Sequence, residues 1–287
     1  MQTIKRLAEL RPAVESLRAK GPVALVPTMG ALHQGHLTLV REAKQQATGV
    51  VVSIFVNPTQ FGPNEDLAAY PRPLAEDARL LEAEGVDLLW APRVEEVYPG
   101  GFATSVSVAG LSEGLCGASR PGHFDGVATV VAKLFNQVCP DLAVFGEKDW
   151  QQLAVIRRMA RDLDLTQPHA DRIRGVATVR EPDGLAMSSR NRYLSLENRD
   201  RAAALPRLMR EAIGEIARGG DATAALNRLR RDLLAAGFDS VDYAELADAA
   251  SLLPLDALEG TPARLFVAAR IGGTRLIDNM AVARAPA

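Results

Sequence analysis

Two rhythms of apolar and polar residues alternate along the first part of this chain. Residues 23–27, Val-Ala-Leu-Val-Pro, form a short apolar run closed by a proline and predict a buried strand. Residues 36–47 then place Leu37, Leu39, Val40 and Ala43 at helical spacing. The pattern repeats downstream. Strands are predicted at 50–56, 86–91 and 142–145, and helices at 74–84, 124–138 and about 150–163. Residues 1–20 mix charge with leucine and read as an amphipathic helix. Strand–helix alternation over about 165 residues predicts an α/β, Rossmann-like, doubly wound parallel sheet with helices on both faces.

The pattern changes after Gly175. A strand is predicted at 176–180, helices at 196–218 and 222–236, and short strands at 241–245, 264–270 and 274–278. Gly272-Gly273 reads as the turn of a terminal hairpin. This predicts a second, smaller α+β domain: residues 1–175 form the nucleotide-binding-type domain and 176–287 the smaller one.

Composition narrows the class. The chain has 287 residues, 47% hydrophobic and 24% charged, enough for a substantial core. Its 33 basic and 35 acidic residues give a net charge of -2, so no overall basic field invites nucleic acid. No apolar run approaches the ~20 residues that span a bilayer, and the N-terminus lacks the pattern of a signal peptide. The two cysteines, Cys116 and Cys139, have no metal-ligand spacing and read as reduced thiols. A cytoplasmic protein is expected.

Three clusters carry candidate chemistry. Pro27-Thr-Met-Gly-Ala-Leu-His-Gln-Gly-His36 joins the first strand to the first helix. Ligands of open α/β sheets bind beyond the carboxyl ends of strands, and a helix start there favours an anion. Gly30 and Gly35 allow close backbone approach, and His33 and His36 are spaced to face one site. A second cluster, Phe145-Gly-Glu-Lys-Asp149, follows the fourth strand and supplies Lys148; Ser188, Ser189 and Arg190 add two hydroxyls and a guanidinium, a phosphate-binding set or a helix cap. In the third, Gln60 closes Ser53-Ile-Phe-Val-Asn-Pro-Thr-Gln-Phe61 and Gln152 follows the Lys148 turn. Neutral amides suit a hydroxylated carboxylic acid without pairing its carboxylate. Ser119-Arg-Pro-Gly-His-Phe124 brings a further Arg and His in a loop, read equally as a structural turn.

The turn at 27–36 resembles the His-x-Gly-His motif of the nucleotidyltransferase superfamily, and Ala186-Met-Ser-Ser-Arg-Asn191 stands where that superfamily has Lys-Met-Ser-Lys-Ser. Taken with Arg120-Pro-Gly-His-Phe124, Phe145-Gly-Glu-Lys-Asp149 and Leu276-Ile-Asp-Asn279, the whole chain resembles the pantoate–β-alanine ligase (pantothenate synthetase) family. The resemblance implies ATP-dependent formation of a pantoyl-adenylate, then attack by β-alanine to give pantothenate and AMP. It implies an ATP site at Met29, Gly30, Ala31, Leu32, His33, Gln34, Gly35, His36, Gly146, Glu147, Lys148, Asp149, Val179, Met187, Ser188, Ser189 and Arg190. Of these, His36 would be the proton donor, and His33, Lys148, Ser188, Ser189 and Arg190 would stabilise phosphate charge. Gln60 and Gln152 would bind pantoate, with Gln60 also near β-alanine. ATP with Mg2+ is then a substrate, no prosthetic group is needed, and a homodimer with a C-terminal lid is implied. Asp77 is a candidate for the outer shell of the metal.

Two departures stand out: Thr59 where many relatives have Met, and Asp125 where they often have Arg. Other classes fit less well. An adenylyltransferase needs a basic pocket for an acceptor phosphate, a bare nucleotide-binding module does not need His33, His36, Lys148 and Arg190 together, and a tRNA ligase needs a basic appendage.

Overall fold

The computed structural model describes residues 1–63, 65–258 and 260–284. They form two compact units. The first comprises Met1–Ser112, Arg120–Glu147 and Gln152–Ala177; the second comprises Glu113–Ser119, Lys148–Gln151 and Thr178–Ala287. The second therefore takes in two short segments that the sequence reading placed in the first domain.

In chain order the first unit begins with β1 (Gln2–Ile4), α1 (Leu7–Arg18), β2 (Val23–Thr28), α2 (Gln34–Gln46), β3 (Gly49–Ile54), α3 (Leu74–Ala83), β4 (Leu88–Trp90) and the short α4 (Val94–Val97). The short α5 (Cys116–Ser119), which groups with the second unit, is followed by α6 (His123–Val138), β5 (Leu142–Gly146), α7 (Trp150–Asp162) and β6 (Ile173–Val176). The strands form one parallel sheet in the order β1-β4-β3-β2-β5-β6. Burial explains the continuous apolar runs: Val23, Ala24, Leu25 and Val26 are all fully buried, as a central strand covered on both faces must be. Ala24, Val26, Val50 and Val52 pack with Leu37, Val40 and Ala43 of α2 and Leu81 of α3, while α1 and α6 pack against each other and against β2.

From β2 the chain builds outward through β3 and β4, then returns to place β5 on the other side of β2. The β2/β5 boundary is the switch point at which ligands of such sheets bind.

Three elements differ from the sequence expectation. Residues 2–4 are an edge strand paired to β4 rather than the start of a helix. The strand expected at 176–180 lies at Ile173–Val176, where it pairs with β5. The single helix expected at 196–218 is two, α8 (Leu196–Ala202) and α9 (Ala204–Ala217). Pro206 explains this break, because it has no N–H for the carbonyl of Ala202 and its ring crowds that carbonyl.

The second unit continues through α10 (Ala222–Ala235) to an antiparallel sheet β7 (Ser240–Asp248), β8 (Ala263–Ile271) and β9 (Thr274–Val282). Leu205, Met209, Leu229, Leu233, Leu265 and Val267 form its core. Among the described residues no helix is long and apolar enough to cross a membrane.

Candidate functional site

In the first unit the site grows from the carboxyl end of β2. After Thr28 the chain reverses through Gly30 (φ 82°) and Ala31 (φ 50°), both left-handed. A β-carbon on Gly30 would lie 3.0 Å from Asp77 Oδ2 and from Ile54 Cγ2, so glycine suits both the turn and its packing. The buried Asp77 carboxylate accepts the amides of Ala31 and Leu32, each at 2.8 Å. Thr28 Oγ1 accepts the Gly30 amide at 3.2 Å and donates to Ser53 O at 2.9 Å.

The turn ends in a reciprocal cap. His33 Nδ1 accepts from the Gly35 amide at 3.1 Å, and His36 Nδ1 accepts from the His33 amide at 3.3 Å. The rings lie against each other with centroids 4.1 Å apart. A ring nitrogen that accepts carries no proton, so this network assigns the proton of each neutral imidazole to Nε2. Both rings are thereby set as Nε2–H donors beside the positive end of α2.

This arrangement corrects the backbone cradle expected from the glycines. The amides of Gly30, His33 and Gly35 have partners within the turn and those of Ala31 and Leu32 are held by Asp77, and Ala31 and Leu32 are buried. The histidine rings, with Met29 and the exposed Gln34, are what the segment presents. Each oxygen of Asp77, the candidate for the outer shell of the metal, accepts one amide of the turn.

Gln60 sits on the single 3-10 turn Pro58–Gln60 beyond β3. Its amide nitrogen lies 2.9 Å from Met29 Sδ, which joins it to the turn after β2. Asn57 orients it: the buried Asn57 Nδ2 donates to Gln60 Oε1 at 3.2 Å and to Gly126 O at 3.0 Å. Asn57 Oδ1 in turn accepts from Tyr98 OH at 2.9 Å and from Thr59 Oγ1 at 3.0 Å.

Arg120 and His123 brace the same turn from its backbone. Arg120 Nη2 donates to Gln60 O at 3.2 Å, and His123 Nδ1 meets the same carbonyl at 2.8 Å. Arg120 also forks onto Glu65, at 2.6 Å through Nε and 2.5 Å through Nη2. Burial works to raise the Glu65 pKa, but the hydrogen bonds and charge of Arg120 outweigh it and hold the carboxyl below its usual range. Arg120 is thus a brace for Gln60 rather than a cation awaiting an anion. Asp125 lies in the first turn of α6, where a negative charge suits the helix dipole without any arginine.

At the end of β5, a β-carbon on Gly146 would meet nothing within 4 Å, so the space over this backbone is open. Glu147 follows it, and Gln152, half-buried, lies in α7. Its neighbour Gln151 is committed elsewhere: within the second unit it accepts from Cys116 N at 3.0 Å and donates to Gly114 O at 2.8 Å.

The other basic candidates belong to the second unit. Lys148 Nζ lies 3.8 Å from Asp149 Oδ1. Val179 and Met187 are neighbours in a tight hairpin, through Met187 N to Val179 O at 3.0 Å and the bridge between Arg180 and Ala186. The hairpin delivers Ser188, whose Oγ caps the turn Ser189–Tyr193 by accepting the Arg190 amide at 3.2 Å. The hydroxyl loop is therefore also a cap, and Ser189 is buried.

Sequence reasoning passed over Asn57, Tyr98 and Thr28. Asn57 was legible only as a turn residue, and nothing in the chain announces that Tyr98 lies 41 residues along from its partner.

Comparison with known proteins names the group. The family model described as pantoate-beta-alanine ligase matches residues 2–281. The pantothenate synthetase of Novosphingobium aromaticivorans is 68% identical over 98% of this chain and 99% of its own. The crystal structure of pantothenate synthetase from Thermus thermophilus superposes with a TM-score of 0.92 at 49% identity, covering 99% of this chain and 100% of that one. The pantoate-beta-alanine ligase of Francisella tularensis, solved with beta-gamma ATP and beta-alanine, gives a TM-score of 0.82 at 33% identity over 98% of this chain and 97% of its own. With a parallel sheet, a paired-histidine turn at its switch point and matches spanning nearly every residue, the chain belongs to the pantoate–β-alanine ligase family.

Proposed function

We propose that this enzyme condenses (R)-pantoate with β-alanine through an adenylate, and that the residues above divide the work. The pantoate carboxylate attacks the α-phosphorus of ATP, forming the acyl–phosphate bond as pyrophosphate departs. The neutral amine of β-alanine then attacks the acyl carbon, loses its proton, and expels AMP to leave the amide of pantothenate.

The observation that carries this reading is the reciprocal cap at the carboxyl end of β2, because it commits Nδ1 of both imidazoles to the turn and so leaves the proton of each neutral ring on Nε2. Charge gathers on phosphate oxygens during the first step, and a preorganised donor aimed there is worth about 3–4 kcal/mol. His36 and His33 are assigned to that task as hydrogen-bond donors, with His36 the proton donor. Met29, Gly30, Gln34 and Gly35 line the nucleotide beside them, with Ala31 and Leu32 supporting the turn from its buried side. Gly146, Glu147 and Asp149 with Val179 and Met187 are assigned to the adenosine, and Lys148, Ser188, Ser189 and Arg190 to the phosphates. Gln60 and Gln152 are assigned to pantoate.

Mg2+ enters with ATP as part of the substrate. Asp77, whose oxygens also hold the Ala31 and Leu32 amides, is assigned at most to its outer shell. The enzyme is assigned to the cytoplasm on its composition, and to a homodimer on its family resemblance.

The decisive experiment is ATP–pyrophosphate exchange. Exchange is expected with pantoate present and β-alanine absent, and AMP is expected as the product of the full reaction. No exchange, or ADP as product, would remove the adenylate from the mechanism.

A further inference from the structure

Leu276-Ile-Asp-Asn279, on β9, is a family-like segment to which no part of the reaction has been assigned. We propose that Asp278 and Asn279 are positioning residues that hold, from neighbouring places on one strand, both phosphate-directed groups of the second unit. The proposal rests on the assignment of Lys148 and residues 188–190 to the ATP phosphates.

Asp278 and Asn279 are both buried, and successive strand residues point to opposite faces. Asp278 takes the forked guanidinium of Arg180, at 2.7 Å through Nη1 and 2.9 Å through Nη2. Arg180 Nη1 also donates to Gly184 O at 3.0 Å, and the Arg180–Ala186 bridge closes the hairpin that delivers Ser188 and Arg190. A buried carboxylate matched in this way by a planar fork fixes direction as well as charge. Asn279 holds the other group. Its Nδ2 donates to the backbone carbonyl of Lys148 at 2.9 Å, and its Oδ1 accepts from Arg264 Nε at 2.7 Å. Arg264 is itself stacked 3.8 Å over the ring of Trp150, two residues past Lys148, and Trp150 Nε1 donates to Ala249 O at 2.8 Å. Segment 148–150 is thus held at its main chain and at its aromatic ring. Holding the main chain of Lys148 fixes the root of its flexible four-carbon stem, and so the region its ammonium can reach beside Asp149.

The test is the exchange reaction in Asn279→Ala, in Lys148→Ala, which removes the cation, and in the double variant. Expected are a fall in exchange kcat of about tenfold or more for Asn279→Ala, a pantoate KM within about twofold of wild type, and an intact melting transition. The double variant should be no slower than Lys148→Ala alone, because Asn279 acts through the placement of the Lys148 cation. Multiplying losses in the double variant, or wild-type exchange in folded Asn279→Ala, overturn the proposal while leaving the role of Lys148 intact. Normal exchange in Lys148→Ala overturns the role of Lys148, and the Asn279 arm with it. Should Asn279→Ala not fold, Asn279→Asp keeps the acceptor for Arg264, removes the donor to Lys148, and carries the same comparison. Arg180→Lys tests the Asp278 arm: it keeps the charge but loses the fork, and is expected to lower exchange kcat about tenfold, with unchanged kcat overturning that arm.

Discussion

Replacing Gly126 with alanine tests whether the turn carrying Gln60 is set by backbone packing against α6. The added β-carbon would clash with Thr59 O and lie 2.6 Å from Thr59 C and 2.7 Å from Gln60 N. These neighbours are backbone atoms and cannot rotate away. Nonbonded carbon contacts relax at about 3.5 Å, so the turn must retreat by roughly 0.8–1 Å. Overpacking of this kind costs about 1–3 kcal/mol, and the better helix propensity of alanine returns about 1 kcal/mol. The net, about 0–2 kcal/mol, is small against a typical stability of about 5–15 kcal/mol, so the protein should fold. The site should suffer more. Gln60 rides on the displaced turn, and the bond from Asn57 Nδ2 to Gly126 O, which helps to aim it, is stretched. A displacement of about 1 Å can cost about 100-fold in turnover. The assay is pantoate-dependent ATP–pyrophosphate exchange beside a thermal melt, with Gly100→Ala as control, since a β-carbon there meets nothing within 4 Å. A folded Gly126→Ala enzyme with the kcat and pantoate KM of the control would falsify the packing argument.

Two further perturbations probe the same unit. Asp77→Asn keeps one acceptor for two amides and turns an N–H toward a donor. A stability loss of about 2–3 kcal/mol by denaturant melt and a raised ATP KM are expected, and wild-type values of both would show that the turn does not depend on the carboxylate. Glu65 has a folded pKa held below its ordinary value, so its pairing with Arg120 stabilises the fold above the unfolded carboxyl pKa of about 4.3 and is lost as pH falls through the lower folded value. The melting difference between wild type and Glu65→Gln should therefore be present at neutral pH and shrink below about pH 4; a gap that widens in acid contradicts the pairing.

Much of this protein is legible in one dimension because its signals are local. Apolar runs of strand length alternating with helical periodicity report a sheet covered on both faces, and Val23, Ala24, Leu25 and Val26 are fully buried as that requires. The place of His33 and His36 at a strand end and helix start is equally local, whereas helical periodicity alone runs one helix through Pro206, where the structure has two. What the sequence could not supply is which partner satisfies each polar group. Glycines before a helix suggest a cradle of free amides, yet Asp77, 46 positions beyond Ala31, takes two of them and leaves the imidazoles as the donors. Arg120 reads only as a further cation in a loop until Glu65, 55 residues away, is found on its guanidinium. Asn279 has no visible chemistry until it is found on the carbonyl of Lys148, 131 residues earlier. Periodicity and turn chemistry depend on neighbours in the chain, so the sequence determined the layers and the ends of strands where ligands sit. Burial forces every polar group to find a partner wherever the fold places one, and only the tertiary structure decided which of the candidate groups present a donor and which hold another residue in place.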